Sequence, residues 1–169
     1  MAPEARTEVY RFSLRVFIAV SVLAFFLQVY LPLYLPRARD LLDLPLLVVI
    51  YFSFSRRNPS TGLLLGLLVG VAQDALSHEP IGQYGIAKTL VGFIASSVGI
   101  RLETEQPTAR LLLVFGFYFL HQLIVDGVEA LLLAQPVAWL RLTTLEAALV
   151  NALLAVLVFP LVDRLRQTA

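Results

Sequence analysis

Six apolar runs, separated by short polar or charged segments, limit this chain to one class of fold. A membrane-spanning helix needs about 20 apolar residues, within a range of roughly 17–25. The runs cover residues 12–34, 41–55, 61–76, 81–100, 111–134 and 145–162. We therefore predict an all-α integral membrane protein, in which residues 1–169 form a single domain built as a bundle of six transmembrane helices.

Composition excludes a soluble fold. Hydrophobic residues make up 59% of the chain and charged residues only 15%, with a mean hydropathy of +0.81. Soluble domains have about 45–50% apolar and about 25% charged residues. A soluble domain of this size could not bury so much apolar surface, so part of it must face lipid. The net charge of +1 and the lack of a basic cluster argue against a nucleic-acid partner.

The distribution of arginines predicts the orientation. With six spans and a cytoplasmic N-terminus, the segments on the cytoplasmic side contain nine arginines and those on the other side three. This asymmetry fits the positive-inside rule and places both termini in the cytoplasm. The nine are Arg6, Arg11, Arg15, Arg56, Arg57, Arg101, Arg110, Arg164 and Arg166, and the three are Arg37, Arg39 and Arg141.

Glycines line one face of the third and fourth predicted spans. Gly62, Gly66 and Gly70 recur every fourth residue, and Gly85 and Gly92 lie seven apart. Residues at these spacings stay near one helix face, where small side chains let a second helix approach closely. Two interpretations remain open. These faces pack against other helices of this chain, or they bind a helix of a partner protein, and the two interpretations are not exclusive.

Polar residues inside the predicted spans are the candidate functional residues. A charge in the middle of a bilayer is costly and usually faces the bundle interior or pairs with an opposite charge. We predict a polar network in which Lys88, the only lysine, is neutralised by Asp126 or Glu129. Lys88 could instead reach the interface or bind a ligand. The full network is Asp74, Lys88, Asp126, Glu129 and Asn151. Asp43 is expected only to cap the second span.

The chain contains no pattern typical of catalysis. His-Glu-x-x-His, Gly-x-Ser-x-Gly and a phosphate-binding glycine loop are all missing, and there is no cysteine. His121 is interpreted as a hydrogen-bonded interior residue. We therefore expect no enzymatic activity, cofactor or metal site.

The central and C-terminal parts resemble the rod shape-determining protein MreD family. The resemblance rests on the order and spacing of short segments over roughly residue 44 to the C-terminus. These segments are Asn58–Gly62, Gln73–Ser77, Pro80–Gly82, Val125–Asp126, Asn151, Phe159–Pro160 and Asp163–Arg166. Length and number of spans are also similar to those of the family.

The resemblance implies a non-enzymatic scaffold in the bacterial cytoplasmic (inner) membrane that supports peptidoglycan synthesis and cell shape. Family members associate with the membrane protein MreC and, through it, with RodA, a class B penicillin-binding transpeptidase and the MreB filament. The family is also similar in fold to the substrate-binding subunits of energy-coupling-factor transporters. The alternative function is accordingly a small-solute (vitamin) transporter subunit with a polar pocket in the outer half. An intramembrane hydrolase is a third interpretation, which would need a nucleophile beside His121.

Overall fold

The part of the chain that the structure describes forms seven helices. The computed structural model describes residues 13–77, 80, 82–102, 106–137, 139 and 141–165, so Arg6, Arg11, Arg166 and the predicted span start at residue 12 lie outside the described residues. The helices are α1 (Leu14–Tyr34), α2 (Ala38–Leu41), α3 (Leu44–Arg56), α4 (Pro59–Ser77), α5 (Gln83–Arg101), α6 (Pro107–Leu132) and α7 (Leu142–Asp163). No strand occurs within the described ranges.

Six of these helices lie where the apolar runs predict them, with ends that differ by at most four residues. The seventh, α2, was not predicted because a single turn leaves no periodic pattern. The cap predicted at the start of α3 is confirmed, since Asp43 Oδ1 accepts a hydrogen bond of 2.9 Å from the Leu46 amide.

Among the described residues, four helices are long and apolar enough to cross a membrane: α1, α4, α6 and α7. Many of their large apolar side chains are exposed, as in Leu23, Leu64, Leu112 and Leu157. Water could not surround so large an apolar surface, so it faces lipid. The other two predicted spans do not qualify by themselves. At about 1.5 Å per residue, the 13 residues of α3 reach only about 20 Å of a roughly 30 Å hydrocarbon core.

α3 is the central helix of the bundle. Every residue from Pro45 to Ser55 is buried, and α3 packs against α1, α4, α5, α6 and α7. A helix that is apolar on all sides is buried on all sides, which explains the uninterrupted sequence Leu-Pro-Leu-Leu-Val-Val-Ile-Tyr-Phe at its start. The longer helices therefore form a shell around a short core helix.

The glycine faces of α4 and α5 pack against each other within the chain. A Cβ atom added at Gly62 would meet the backbone of Gly92, and one at Gly66 would meet the backbone of Lys88. One at Gly70 would meet the backbone of Tyr84 and Gly85. Moving four residues towards the C-terminus of α4 corresponds to moving about four residues towards the N-terminus of α5, as expected for antiparallel helices. Of the two alternatives left open by the sequence, the structure has the intramolecular one.

We expect Gly66→Ala to lower the melting temperature of the detergent-purified protein, because its methyl group would overlap the α5 backbone. Overpacking of this kind costs about 1–3 kcal/mol. Gly116→Ala on α6 is the matched control, since a Cβ there meets nothing within 4 Å. Equal melting temperatures for the two variants would contradict the close α4–α5 contact.

Candidate functional site

The chain turns inside the bundle between α1 and α3, and this turn organises the candidate site. We call residues 35–43 the elbow, and the end of the bundle where they lie the elbow end. The amide of Asp43 donates to Asn151 Oδ1 over 3.0 Å. Asn151 lies nine residues into α7, or about 14 Å from the first residue of that helix. The elbow therefore descends well below the elbow end of the neighbouring helices.

Two amide side chains satisfy the open backbone of the elbow. Gln28 of α1 donates to the Leu42 carbonyl over 2.8 Å and accepts from the Leu44 amide over 2.9 Å. Asn151 of α7 donates to the Leu41 carbonyl over 2.7 Å in addition to its bond from Asp43. Non-helical backbone at membrane depth is tolerated only where protein groups or enclosed water replace the missing helical hydrogen bonds. Gln28 and Asn151 thus hold the elbow in place.

The elbow also carries the carboxylate that neutralises Lys88. Lys88 Nζ lies 2.6 Å from Asp43 Oδ2, and the Lys88 side chain is fully buried. Nζ also lies 3.2 Å from His121 Nε2 and 5.2 Å from the centre of the Tyr84 ring. An ammonium group only donates hydrogen bonds, so Nε2 accepts and the ring proton of a neutral His121 sits on Nδ1. The interpretation of His121 as a hydrogen-bonded interior residue is confirmed.

The predicted partners of Lys88 are wrong. Asp126 instead accepts a bond of 2.8 Å from Gln122 on its own helix. Glu129 accepts a bond of 2.6 Å from Gln83 at the start of α5. Both carboxylates lie on α6, where the side-chain amides of Gln122 and Gln83 satisfy them, whereas Asp43 is brought to Lys88 by a turn that has no sequence pattern. Asn151 reaches the Lys88 site indirectly, through the Asp43 amide.

Asp74 closes the α4–α5 connection and is not the carboxylate that bonds Lys88. Its carboxylate accepts hydrogen bonds from the amides of Gly82, Tyr84 and Gly85, at 2.8–3.0 Å. These amides belong to the start of α5, where the first N–H groups of a helix have no partner of their own. Gly82 has φ +104°, a conformation that side-chain-bearing residues rarely adopt. Asp74 and Gly82 together therefore cap the N-terminus of α5.

A second ion pair lies at the opposite end of the bundle. Arg110 of α6 lies 2.6 Å from the Asp163 carboxylate of α7, which also accepts a bond of 2.7 Å from the Tyr51 hydroxyl of α3. Arg110 is buried and its guanidinium lies over the ring of Phe159 at 5.9 Å. This cluster joins α3, α6 and α7 at that end of the bundle.

A cavity of about 790 Å³ lies above the Lys88 site at the elbow end. Its wall includes Asp43, Tyr84 and His121, together with residues from α1, α2, α4 and α7. The short α3 explains it. A helix about 10 Å too short and about 10 Å in diameter leaves a gap of roughly 800 Å³. Ligand pockets fall in the range of about 300–1,000 Å³. Within the described residues, no group of three His, Asp or Glu is placed to hold a metal ion.

Sequence reasoning missed Gln28 and the second role of Asp43. Gln28 was detectable, because it and Ser21 are the only uncharged polar residues other than tyrosine in α1. An isolated amide in a lipid-facing helix normally has a buried partner. The Asp43–Lys88 pair had no such signal, since the two residues are 45 positions apart.

Fold and site together define the class: a multi-pass helical membrane protein whose core is a short helix anchored by a buried Lys–Asp pair. The chain matches the rod shape-determining protein MreD family over residues 10–168. It belongs to that family, which implies a role in determining rod shape. No curated protein and no solved structure matches the chain significantly, so the expected likeness to energy-coupling-factor transporter subunits stays a prediction.

We expect Lys88→Met and Asp43→Asn each to lower thermal stability strongly, by about 3–5 kcal/mol, because each leaves a buried charge without its partner. The double variant should be less damaged than the sum of the two. Asparagine can still cap α3, so the change isolates the charge. Combining Lys88→Met with Asp126→Asn is the control and should give additive losses. Additivity for Lys88 and Asp43 would contradict the pair.

Proposed function

We propose that this chain is a non-enzymatic subunit of the cell-elongation complex in the bacterial cytoplasmic membrane, where it binds the transmembrane helix of MreC. Through MreC it supports peptidoglycan synthesis by RodA and a class B penicillin-binding transpeptidase, and it is linked indirectly to MreB. The observation that carries this proposal is the family match over nearly the whole chain. The structure supports a scaffold because the described polar clusters hold helices together.

The proposal includes six membrane crossings. Two of them, by α3 and α5, depend on packing against the other helices, because neither helix qualifies as a span by itself. Helix α5 has 19 residues, about 28 Å, and the glycine contacts hold it antiparallel to α4. Helix α3 reaches about 20 Å, and the elbow completes its path. Both termini would then be cytoplasmic, with the elbow on the other side.

Cysteine labelling tests this topology, because the chain has no cysteine and single variants can be read without background. We expect Pro36→Cys in the elbow to react with a membrane-impermeant maleimide in intact spheroplasts. Ser60→Cys, in the first turn of α4, should react only after permeabilisation. Both positions are exposed in the fold, so accessibility reports sidedness. Labelling of both from the same side would contradict six crossings.

The surface available to MreC differs from the one that the sequence first indicated. The faces of Gly62, Gly66 and Gly70 are covered by α5. Gly116 and Gly127 of α6 are open, since a Cβ at either meets nothing within 4 Å. Eleven residues apart, they point within about 20° of each other on a helix of 3.6 residues per turn. We place the MreC contact on this face of α6.

Co-purification from detergent extracts tests both the partner and the face. The unmodified chain should retain MreC. Gly116→Leu combined with Gly127→Leu should reduce the recovered MreC by about tenfold, as a loss of roughly 1.4 kcal/mol would. Leu153→Phe, on the lipid-facing side of α7, should leave recovery unchanged.

The outcomes separate the two parts of the proposal. Failure of the unmodified chain to retain MreC would overturn the proposed function. Normal recovery with the double glycine variant would overturn only the placement on α6, since that variant leaves the buried α4–α5 packing intact.

A further inference from the structure

The cavity at the elbow end contains buried polar groups that the fold leaves without partners. Gln73 Oε1 and Ser77 Oγ are buried and lack hydrogen bonds among the described residues. His121, 2% exposed, uses Nε2 for Lys88, so its ring proton is on Nδ1. All three residues line the cavity. Buried polar groups are normally satisfied, so two unpartnered atoms in one wall of the cavity indicate a bound molecule that provides the missing hydrogen bonds.

The charge of the cavity favours an anion. Arg39 and Arg141 line it, and neither guanidinium makes an ion pair within the described ranges. The Asp43 carboxylate is already neutralised by Lys88. Asp40 is the one remaining acidic residue of the lining, so two unpaired cations face one unpaired carboxylate. Guanidinium groups bind phosphate through paired, charge-assisted hydrogen bonds.

One wall of the cavity is apolar and belongs to a helix that faces lipid. Phe25, Val29 and Leu33 of α1 and Leu76 of α4 line it. Helix α1 packs against α2 and α3 and makes no extensive contact with α4 over the described residues. A molecule in the cavity can therefore place an apolar part between α1 and α4 and remain in contact with the surrounding bilayer.

We propose that this cavity binds an anionic lipid through a head group that carries both a phosphate and a hydroxyl. The phosphate accepts hydrogen bonds from Arg39, Arg141 and His121 Nδ1. The hydroxyl donates to Gln73 Oε1, and the acyl chain follows the apolar wall of α1. The proposal does not depend on which protein partner the chain binds.

Native mass spectrometry of the full chain in a neutral detergent tests this site. The probes are phosphatidylglycerol, which has the phosphate and hydroxyls, phosphatidylcholine, which has no net charge, and glycerol 1-phosphate, which has no acyl chain. We expect one phosphatidylglycerol to be retained at a concentration where phosphatidylcholine is not. Glycerol 1-phosphate should bind and compete only weakly, because it lacks the apolar part.

Substitutions locate the site. Arg39→Gln with Arg141→Gln should weaken phosphatidylglycerol binding by about a hundredfold or more, since each lost charge-assisted hydrogen bond contributes about tenfold or more. Arg101→Gln, an exposed arginine at the other end of α5, is the matched control and should retain the lipid. Gln73→Leu should weaken binding of phosphatidylglycerol without making phosphatidylcholine bind. It also tests the site if the double arginine variant fails to fold.

Three results would overturn the proposal. Equal retention of phosphatidylglycerol and phosphatidylcholine would show that the negative charge of the lipid does not determine binding. Unchanged binding in a folded Arg39→Gln and Arg141→Gln variant, or in Gln73→Leu, would place the lipid elsewhere on the surface. Full competition by glycerol 1-phosphate at matched concentration would identify the site as one for a soluble phosphate and would show that the acyl chain does not contribute to binding.

Discussion

The fold depends on an unwound stretch of backbone that lies inside the bundle and must be satisfied there. At the elbow, the carbonyls of Leu41 and Leu42 and the amides of Asp43 and Leu44 have no helical partners, and side chains must replace them. Gln28 and Asn151 provide the missing donors and acceptors, and Asp43 caps α3 while it neutralises Lys88. One turn therefore links α1, α3, α5 and α7 through bonds that have no alternative partners in lipid.

This turn also determines the shape of the elbow end. Because the chain turns deep in the bundle, α3 begins low and only 13 residues remain before Arg57. The longer helices around it rise past its first residue and enclose the cavity above Asp43 and His121. Lys88 contacts Asp43 and His121, which form the bottom of the cavity. The ion pair that stabilises the core therefore also holds the polar wall of the cavity in place. Asp43 and His121 thus contribute both to the stability of the core and to the proposed binding site.

The glycine faces of α4 and α6 differ in what covers them. On α4, Gly62, Gly66 and Gly70 remove side chains where α5 must approach, and the contact is complete within the chain. On α6, Gly116 and Gly127 meet nothing. Spacing alone does not distinguish these cases, because a small-residue face favours close approach of any helix, whether it belongs to the same chain or to another.

The sequence by itself determined the class of fold, the positions of six helices and the cap at Asp43, because lipid admits only apolar helices with satisfied ends. Its short segments also indicated the MreD family. Only the tertiary structure decided that Lys88 pairs with Asp43 and that Asp126 and Glu129 bind Gln122 and Gln83. The physical reason is that helix periodicity fixes which residues share a face, whereas ion-pair partners depend on how separate helices and an aperiodic turn meet in space.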